Sequence, residues 1–478
     1  MALIVPVFIA LVAIFLFSFY KKYLNFRKLN YYGSQLPGPP LQRFMGNTNL
    51  FQNKSGDEFA LVFKEEAKKA RDRGDNILRF LLPGKLIVWP LNGKAVSQIL
   101  ESTTEIHKGS DYEMFKPWIN GLLLLVGDTW KSHRKLITPT FHFAKLEGYF
   151  DVFNSESKVC MLRYNQSMYS YFQILTELLE KCLLDIICET AMGTKVNAQF
   201  NHDHPYLKAV KGYTSLMLQR STQPIMWSPF LFWALGYKKQ QDDYLRILKK
   251  FTSDVITERK ETRESGEESE NRTSKRNMNF LDMMLNMTES NGLTEEELRS
   301  EVDTFMFGGH DTTTTSSSWM VWNLAHNQEI QNKVYEEILS VCGEDLNEEI
   351  TYEQVNKLNY LDLVMKESKR MIPPVPAVQR QLQKDMVIDG HTIPAGANIS
   401  IGPLALHNNH LVYKNPEKFD PDRFLPEECA KRHAYDYVPF SAGIKNCIGQ
   451  KFAVLNEKVL ISHLRNPSEV NEKVLIQG

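Results

Sequence analysis

The sequence predicts a mainly α-helical chain with a smaller β-rich part. A capping box, Thr294 to Glu297, opens a helical pattern that runs to about Asn327. At 1.5 Å per residue such a helix is about 50 Å long, enough to cross a whole domain. Leu178 to Gly193, ending D-I-I-C-E-T-A-M-G, reads as a second, buried helix. Strand signals come from Asn76–Pro90, where two apolar runs meet a Pro83-Gly84 turn, and from Lys384–Pro403 around an Asp389-Gly390 turn.

The chain has 478 residues, 43% of them apolar, enough for a large core. A net charge of −1 gives no electrostatic footprint for nucleic acid. The six cysteines, Cys160, Cys182, Cys188, Cys342, Cys429 and Cys447, form no C-x-x-C pair and no disulfide framework, which fits a reducing compartment.

From the N-terminus, Leu3 to Tyr20 is a nearly unbroken apolar run, about 27 Å as a helix and just able to span a bilayer. No charge precedes it, no small-residue cleavage site follows, and Lys21, Lys22, Arg27 and Lys28 come after it. Positive charge stays cytoplasmic. Residues 1–20 therefore read as an uncleaved membrane anchor, with the rest of the chain in the cytosol. Residues 21–40 read as a basic and proline-rich linker ending in L-P-G-P-P, a stiff strut. Residues 41–478 then read as one domain.

Helical pattern resumes near Gly93. Trp130 and Arg134 are four apart and share a helix face. An indole N–H beside a guanidinium makes an anion cradle, although a core Trp with a surface Arg is the plain alternative. Lys131 and Lys135 fall one residue round and face solvent. Pro224 to Tyr237 carries five aromatics and no charge, so it is expected to be buried or to dip into a membrane where substrate enters. Glu258 to Asn277 is densely charged and reads as a solvated loop.

The middle of the long helix breaks helix rules: Gly308, Gly309, His310, Asp311, then Thr312 to Thr315. Local distortion is expected, freeing carbonyls and leaving room for a small ligand. Thr312 is then a hydrogen-bond donor and Asp311 a proton relay; a poorly packed helix tolerated by its neighbours is the alternative. Glu367 and Arg370 form an ion pair on one helix face.

Phe440 to Gly449, F-S-A-G-I-K-N-C-I-G, places Cys447 four residues after Gly443 and two before Gly449. Glycines so placed suggest a loop that presents a thiolate, aims backbone N–H groups at the sulfur and lets a flat group approach closely. Such a thiolate suits haem iron, and its electron donation favours O–O cleavage. A buried structural cysteine is the alternative.

With Gln450, Lys451, Phe452 and Ala453, this loop resembles the haem-binding loop of the cytochromes P-450. The other motifs follow in that family's order up to about Leu464. L-P-G-P-P resembles the hinge of the microsomal members, and W-x-x-x-R their helix at the haem edge. Gly308 to Thr312 resembles the oxygen-activation motif, and E-x-x-R the pair that closes with the arginine of Pro421, Asp422, Arg423 and Phe424. Leu178–Gly193 is similar to a helix of the fatty-acid omega-hydroxylase branch. The resemblance implies the cytochrome P-450 fold and haem b bound through Cys447, with Phe440, Gly443 and Gly449 shaping its loop. Trp130, Arg134, Arg380 and Lys445 would serve the haem propionates, and Asp311 and Thr312 would be catalytic. It further implies a lipophilic substrate such as a fatty acid, and electrons from NADPH-cytochrome P-450 reductase with cytochrome b5 as a second partner. The catalytic domain would face the cytosol on the endoplasmic reticulum membrane.

There are departures. Lys445 stands where the family often has arginine or histidine, keeping charge without the bidentate fork. Ile444 replaces a frequent proline. Gly308 takes the place of a glutamate that esterifies haem in the omega-hydroxylase branch, so no covalent link is expected there. The chain ends soon after Cys447, and Asn456–Ile461 recurs as Asn471–Ile476, so a terminal hairpin is expected to be missing. Two other readings are a haem-thiolate isomerase or dehydratase, against which Asp311 and Thr312 argue, and a non-catalytic haem or lipid binder.

Overall fold

The computed structural model describes residues 4–464, apart from 53, 142, 167–171, 266–277, 291 and 346–347. In chain order the longer elements are α1 (Ile4–Gln35), α2 (Gly56–Asp72), β1 (Ile77–Leu82), β2 (Lys85–Pro90), α3 (Gly93–Leu100), α4 (Gly127–Ile137), α5 (Phe150–Gln166), α6 (Phe172–Ile187) and α7 (Pro205–Thr222). They continue with α8 (Tyr237–Ser265), α9 (Phe280–Glu289), α10 (Glu295–Ala325), α11 (Gln328–Cys342), α12 (Asn359–Met371), β3 (Val378–Gln381), β4 (Met386–Ile388), β5 (His391–Ile393), β6 (Asn398–Ile401) and α13 (Gln450–His463). The chain divides into two compact units. The first holds Met1–Asp111, Pro376–Lys414 and His433–Lys445; the second holds Tyr112–Val375, Asn415–Arg432 and Asn446–Gly478.

The first unit is built on a sheet of order β1-β2-β6-β3. β1 and β2 pair antiparallel, and Gly84 at φ 75 makes their turn. β2 and β6 run parallel, β6 and β3 antiparallel. Both faces are covered, which explains the nearly continuous apolar run of β1. Ile77, Leu81, Leu86 and Val88 pack with Ile99 of α3, while Leu78, Phe80 and Trp89 pack with Phe51 and with Ala67 and Ala70 of α2. Arg79, the exception in that run, is buried and donates to Pro39 O and Asn47 Oδ1, both at 3.1 Å. Prolines offer no donor, so the carbonyls of the strut fall to this arginine. A second hairpin, β4–β5, turns at Asp389 (φ 49) and Gly390 (φ 78), the mirror-image turn expected of Asp-Gly.

Residues 21–35, expected as linker, continue helix α1, because Leu29 packs into this unit's core. The anchor expected over residues 1–20 falls largely on side chains outside the described residues. Among the described residues, no helix is long and apolar enough to cross a membrane.

In the second unit α10 is the central element, packed by α6, α8, α9, α11, α12 and α13. Its capping box is formed as expected: Thr294 accepts from the Glu297 N–H, and the Glu297 carboxylate accepts from Thr294 N–H. The expected distortion is absent: α10 stays α-helical through Gly308–Thr315. Each threonine hydroxyl from Thr312 to Thr315 donates to the carbonyl four residues back, at 2.8–3.0 Å. Gly309 is there for packing, since a Cβ would lie 2.7 Å from Ile187 of α6.

The buried helix expected over Leu178–Gly193 starts earlier and ends in a π turn, Cys188–Met192, closed by Gly193 at φ 69. The loop expected over Glu258–Asn277 is helical as far as Ser265. Leu248, Val255, Ile256 and Arg259 make a buried stripe there, and Arg259 forms a two-pronged pair with Asp282 at 2.7 Å. The rest of that loop, and Asn471–Ile476, lie outside the described residues; Asn456–Ile461 is part of α13.

Candidate active site

In the second unit, Cys447 sits just before α13, whose N-cap is Gly449. A helix N-terminus favours a thiolate through its free N–H groups and its dipole. The Gly449 N–H bonds the sulfur and the Arg134 charge lies near, and both pull the thiol pKa down; burial is the larger effect and pushes it up. Yet Cys447 keeps accessible surface.

Helix α4 buries Trp130, His133 and Ile137 and exposes Lys131 and Lys135, the periodicity of an amphipathic helix. The anion cradle expected of Trp130 and Arg134 is changed in one respect. Two donors of Arg134 are used by the residue before the cysteine: Nη1 bonds Asn446 O at 2.9 Å and Nη2 bonds Asn446 Oδ1 at 2.8 Å. Arg134 thus grips the cysteine loop directly. One residue earlier, His133 Nδ1 lies 2.6 Å from Glu301 Oε1 of α10, and Glu301 Oε2 accepts from the Leu122 N–H. The hydrogen bond to Glu301 raises the His133 pKa, against burial. Both residues are buried, so α4 is pinned to α10.

On α10, Thr312 Oγ1 donates to Gly308 O at 2.8 Å and keeps its lone pairs for a second partner. Burial raises the Asp311 carboxyl to about 6, with Lys211 opposing. A Cβ added at Gly308 or at Gly449 would meet nothing within 4 Å, unlike at Gly309. The donor set and this room beside it fit a flat, iron-containing group ligated by sulfur.

In the first unit, Gly443 has φ 70, and a Cβ there would lie 1.9 Å from the Leu100 carbonyl oxygen. A glycine is therefore required there by the end of α3. Phe440 is half-buried in the same loop, and Ser441 adopts φ 58. Arg380, on β3, is buried and forms an isolated bridge with Lys108. Burial first, then the charges of Arg380 and Lys445, hold the Lys108 amine well below its ordinary pKa. Three cations crowded together favour an anion in their midst. Lys108 carries no sequence signal, because a lone lysine in I-H-K-G-S matches no spacing rule.

The aromatic stretch forms a turn, Pro224–Trp227, and a short helix, Pro229–Ala234. Ile225, Trp227 and Leu235 are exposed, with Phe230 67% and Trp233 65% exposed. Of the two expectations for it, burial is not met.

A family model described as Cytochrome P450 matches residues 36–466. The chain belongs to the cytochrome P450 family. It is 41% identical to cytochrome P450 4V2 of Pongo abelii over 429 residues, 86% of this chain and 80% of that one. It is 36% identical to cytochrome P450 4c3 of Drosophila melanogaster over 447 residues, 90% and 83% of the two chains. With cytochrome P450 4d1 of Drosophila melanogaster it shares 35% over 469 residues, 94% and 90%. The mainly helical fold with small sheets is that of the family, and the chain is a haem-thiolate monooxygenase.

Proposed function

We propose that this P450 inserts one oxygen atom of O2 into a fatty acid or similar lipophilic chain, the second atom leaving as water. The observation that carries the reading is Cys447, presented at the start of α13 with the Gly449 N–H on its sulfur and Arg134 holding Asn446 beside it. Haem b would be held by Cys447 on the iron. By the family resemblance, Trp130, Arg134, Arg380 and Lys445 would serve the haem, and Phe440, Gly443 and Gly449 would shape the loop. Bound haem supplies the oxygen activation. The chain's part is to hold a proton on Asp311, to offer the Thr312 hydroxyl and to keep the site enclosed.

Electrons come from NADPH through cytochrome P-450 reductase, with cytochrome b5 as a second donor. Residues 1–20 anchor the chain in the endoplasmic reticulum membrane with the catalytic part in the cytosol, and the exposed aromatics around Phe230 and Trp233 touch the bilayer where substrate enters. Two readings weighed against this one, isomerisation and mere binding, need no reductase.

The reduced, carbon monoxide-bound protein should show the thiolate-type spectrum, and Cys447→Ser should abolish it. A variant that kept the spectrum would make another cysteine the ligand. Hydroxylated fatty acid should form only when both NADPH and reductase are added.

A further inference from the structure

The carboxylate of Glu301 on α10 is fully buried, and its two oxygens are engaged by different parts of the chain. Oε1 lies 2.6 Å from His133 Nδ1 of α4, and Oε2 accepts from the Leu122 N–H at 2.9 Å. A buried carboxylate that loses a partner is costly, so both partners are held to it. Beside Leu122, the Gly121 N–H donates to Thr304 Oγ1 at 3.2 Å, and that hydroxyl donates onward to Ser300 O at 2.7 Å. A Cβ at Gly121 would lie 2.6 Å from Glu301 Oε2, 2.7 Å from Thr304 Oγ1 and 2.8 Å from Ser300 O. The lack of a side chain at Gly121 is what lets this segment close on α10.

Three residues before Gly121, the same segment meets α10 again. Trp118 is buried, and its ring is 4.9 Å from that of Phe307, the half-buried neighbour of Gly308. On α4, the residue after His133 is Arg134, whose two donors hold Asn446 O at 2.9 Å and Asn446 Oδ1 at 2.8 Å. Successive residues of a helix point about 100° apart, so α4 meets α10 with His133 and the cysteine loop with Arg134. The helix is short and stiff, and it is seated on buried Trp130, His133 and Ile137. A shift at His133 is therefore carried to Arg134. The Asn446 carbonyl belongs to the peptide that leads into Cys447, so Arg134 grips the backbone of the thiolate itself.

Resting on the haem-thiolate reading, we propose that Glu301 and His133 are positioning residues for the Cys447 ligand, and that they link it to the Trp118–Leu122 segment. The chain of contacts runs from Gly121 and Leu122 to Glu301, from Glu301 to His133, and along α4 to Arg134 and Asn446. A displacement of the segment thus moves α4 and, with it, the peptide before the cysteine. Outer partners of this kind orient a metal ligand without touching the metal.

The test uses the full-length ferric holoenzyme and reads the ligand rather than turnover. The iron–sulfur stretching band in resonance Raman spectra should shift in Gly121→Ala, which drives the segment off Glu301. It should shift in the same direction in His133→Leu, which cuts α4 from α10. His133→Gln, whose amide can again donate to Glu301, should bring the band back. Transfer of haem to apomyoglobin should quicken about tenfold in Gly121→Ala and in His133→Leu. In an Arg134→Lys background, where the two-pronged grip is lost, Gly121→Ala should add less than about twofold more. Thr304→Val removes the acceptor of the Gly121 N–H with little change of shape, and it decides the matter should Gly121→Ala fail to fold. A wild-type band in both segment variants, or haem-loss effects that simply multiply with that of Arg134→Lys, overturns the link. Loss of the thiolate-type carbon monoxide spectrum in the wild type would instead overturn the reading beneath it.

Discussion

In the proposed function, Thr312 supplies the single hydroxyl that decides where electrons end. Its Oγ1 is already oriented by Gly308 O, so it is offered in one place rather than rotating freely. Thr312→Ala should keep NADPH oxidation but divert it to peroxide, lowering product per NADPH about tenfold or more. Unchanged coupling would remove Thr312 from the mechanism. Gly308, one turn back, has neither a carboxylate nor a neighbour within 4 Å of a would-be Cβ. Haem should therefore leave intact on acid-solvent extraction, and haem retained by the protein would show a covalent bond elsewhere. Residues of this kind were legible because their signals lie within a few positions of one another: Cys447 between its glycines, Asp311 before Thr312. Lys108, Asn446 and the His133–Glu301 pair were not. Each acts through a partner far away in sequence, and no local spacing encodes such a meeting.

At the scale of elements, local rules worked where local energies dominate. The capping box fixed the start of α10 and the Asp-Gly turn fixed β4–β5. They failed where side chains answered for one another. The threonine run that argues for a broken helix instead bonds its own carbonyls, and α8 outlasts its charged composition because Arg259 reaches Asp282. Helix α4 shows both sides of one element at work. Its buried side grips the cysteine loop through Arg134, while Lys131 and Lys135 stand in solvent about 100° round the axis. Among the described residues, Lys131 pairs with exposed Asp128 at 3.1 Å, a pair of little energetic weight. In the proposed function, this patch steers an acidic electron donor. Replacing both lysines by Glu should slow reduction by the reductase severalfold at low ionic strength, and the gap should close at high salt. Peroxide-driven turnover, which needs no reductase, should stay the same. Equal reduction rates at low salt would rule the patch out.

At the scale of the molecule, the chain leaves the second unit after Val375 and returns to it as Asn415–Arg432 before reaching the cysteine. What receives the returning segment is Glu367 and Arg370 on α12, both fully buried. Arg370 Nε and Nη2 bond the Glu367 carboxylate at 2.6 and 2.9 Å, and Nη2 also donates to Pro416 O at 2.7 Å. Glu367 accepts from the Asp420 N–H at 2.9 Å and lies 3.5 Å from Arg423 Nε, the partner expected from the P-x-R-F segment. Burial raises the Glu367 pKa even against these cations, so the network is a device of position more than of stability. Arg370→Leu would leave the carboxylate buried with less opposing charge and should cost about 3–5 kcal/mol in unfolding. The sign with pH follows. A carboxyl whose folded pKa stands above its unfolded one loses stability as pH rises through the folded value, and removing Arg370 lifts that value further. The deficit of Arg370→Leu should be largest at neutral pH and shrink in acid, where Glu367 takes up a proton. Replacing Glu367 by Leu as well should recover part of the loss, since no lone charge remains. Denaturant unfolding of the single and double variants at neutral and acid pH measures this. A deficit independent of pH would mean that the loss comes from packing around Arg370 and not from the charge it leaves behind.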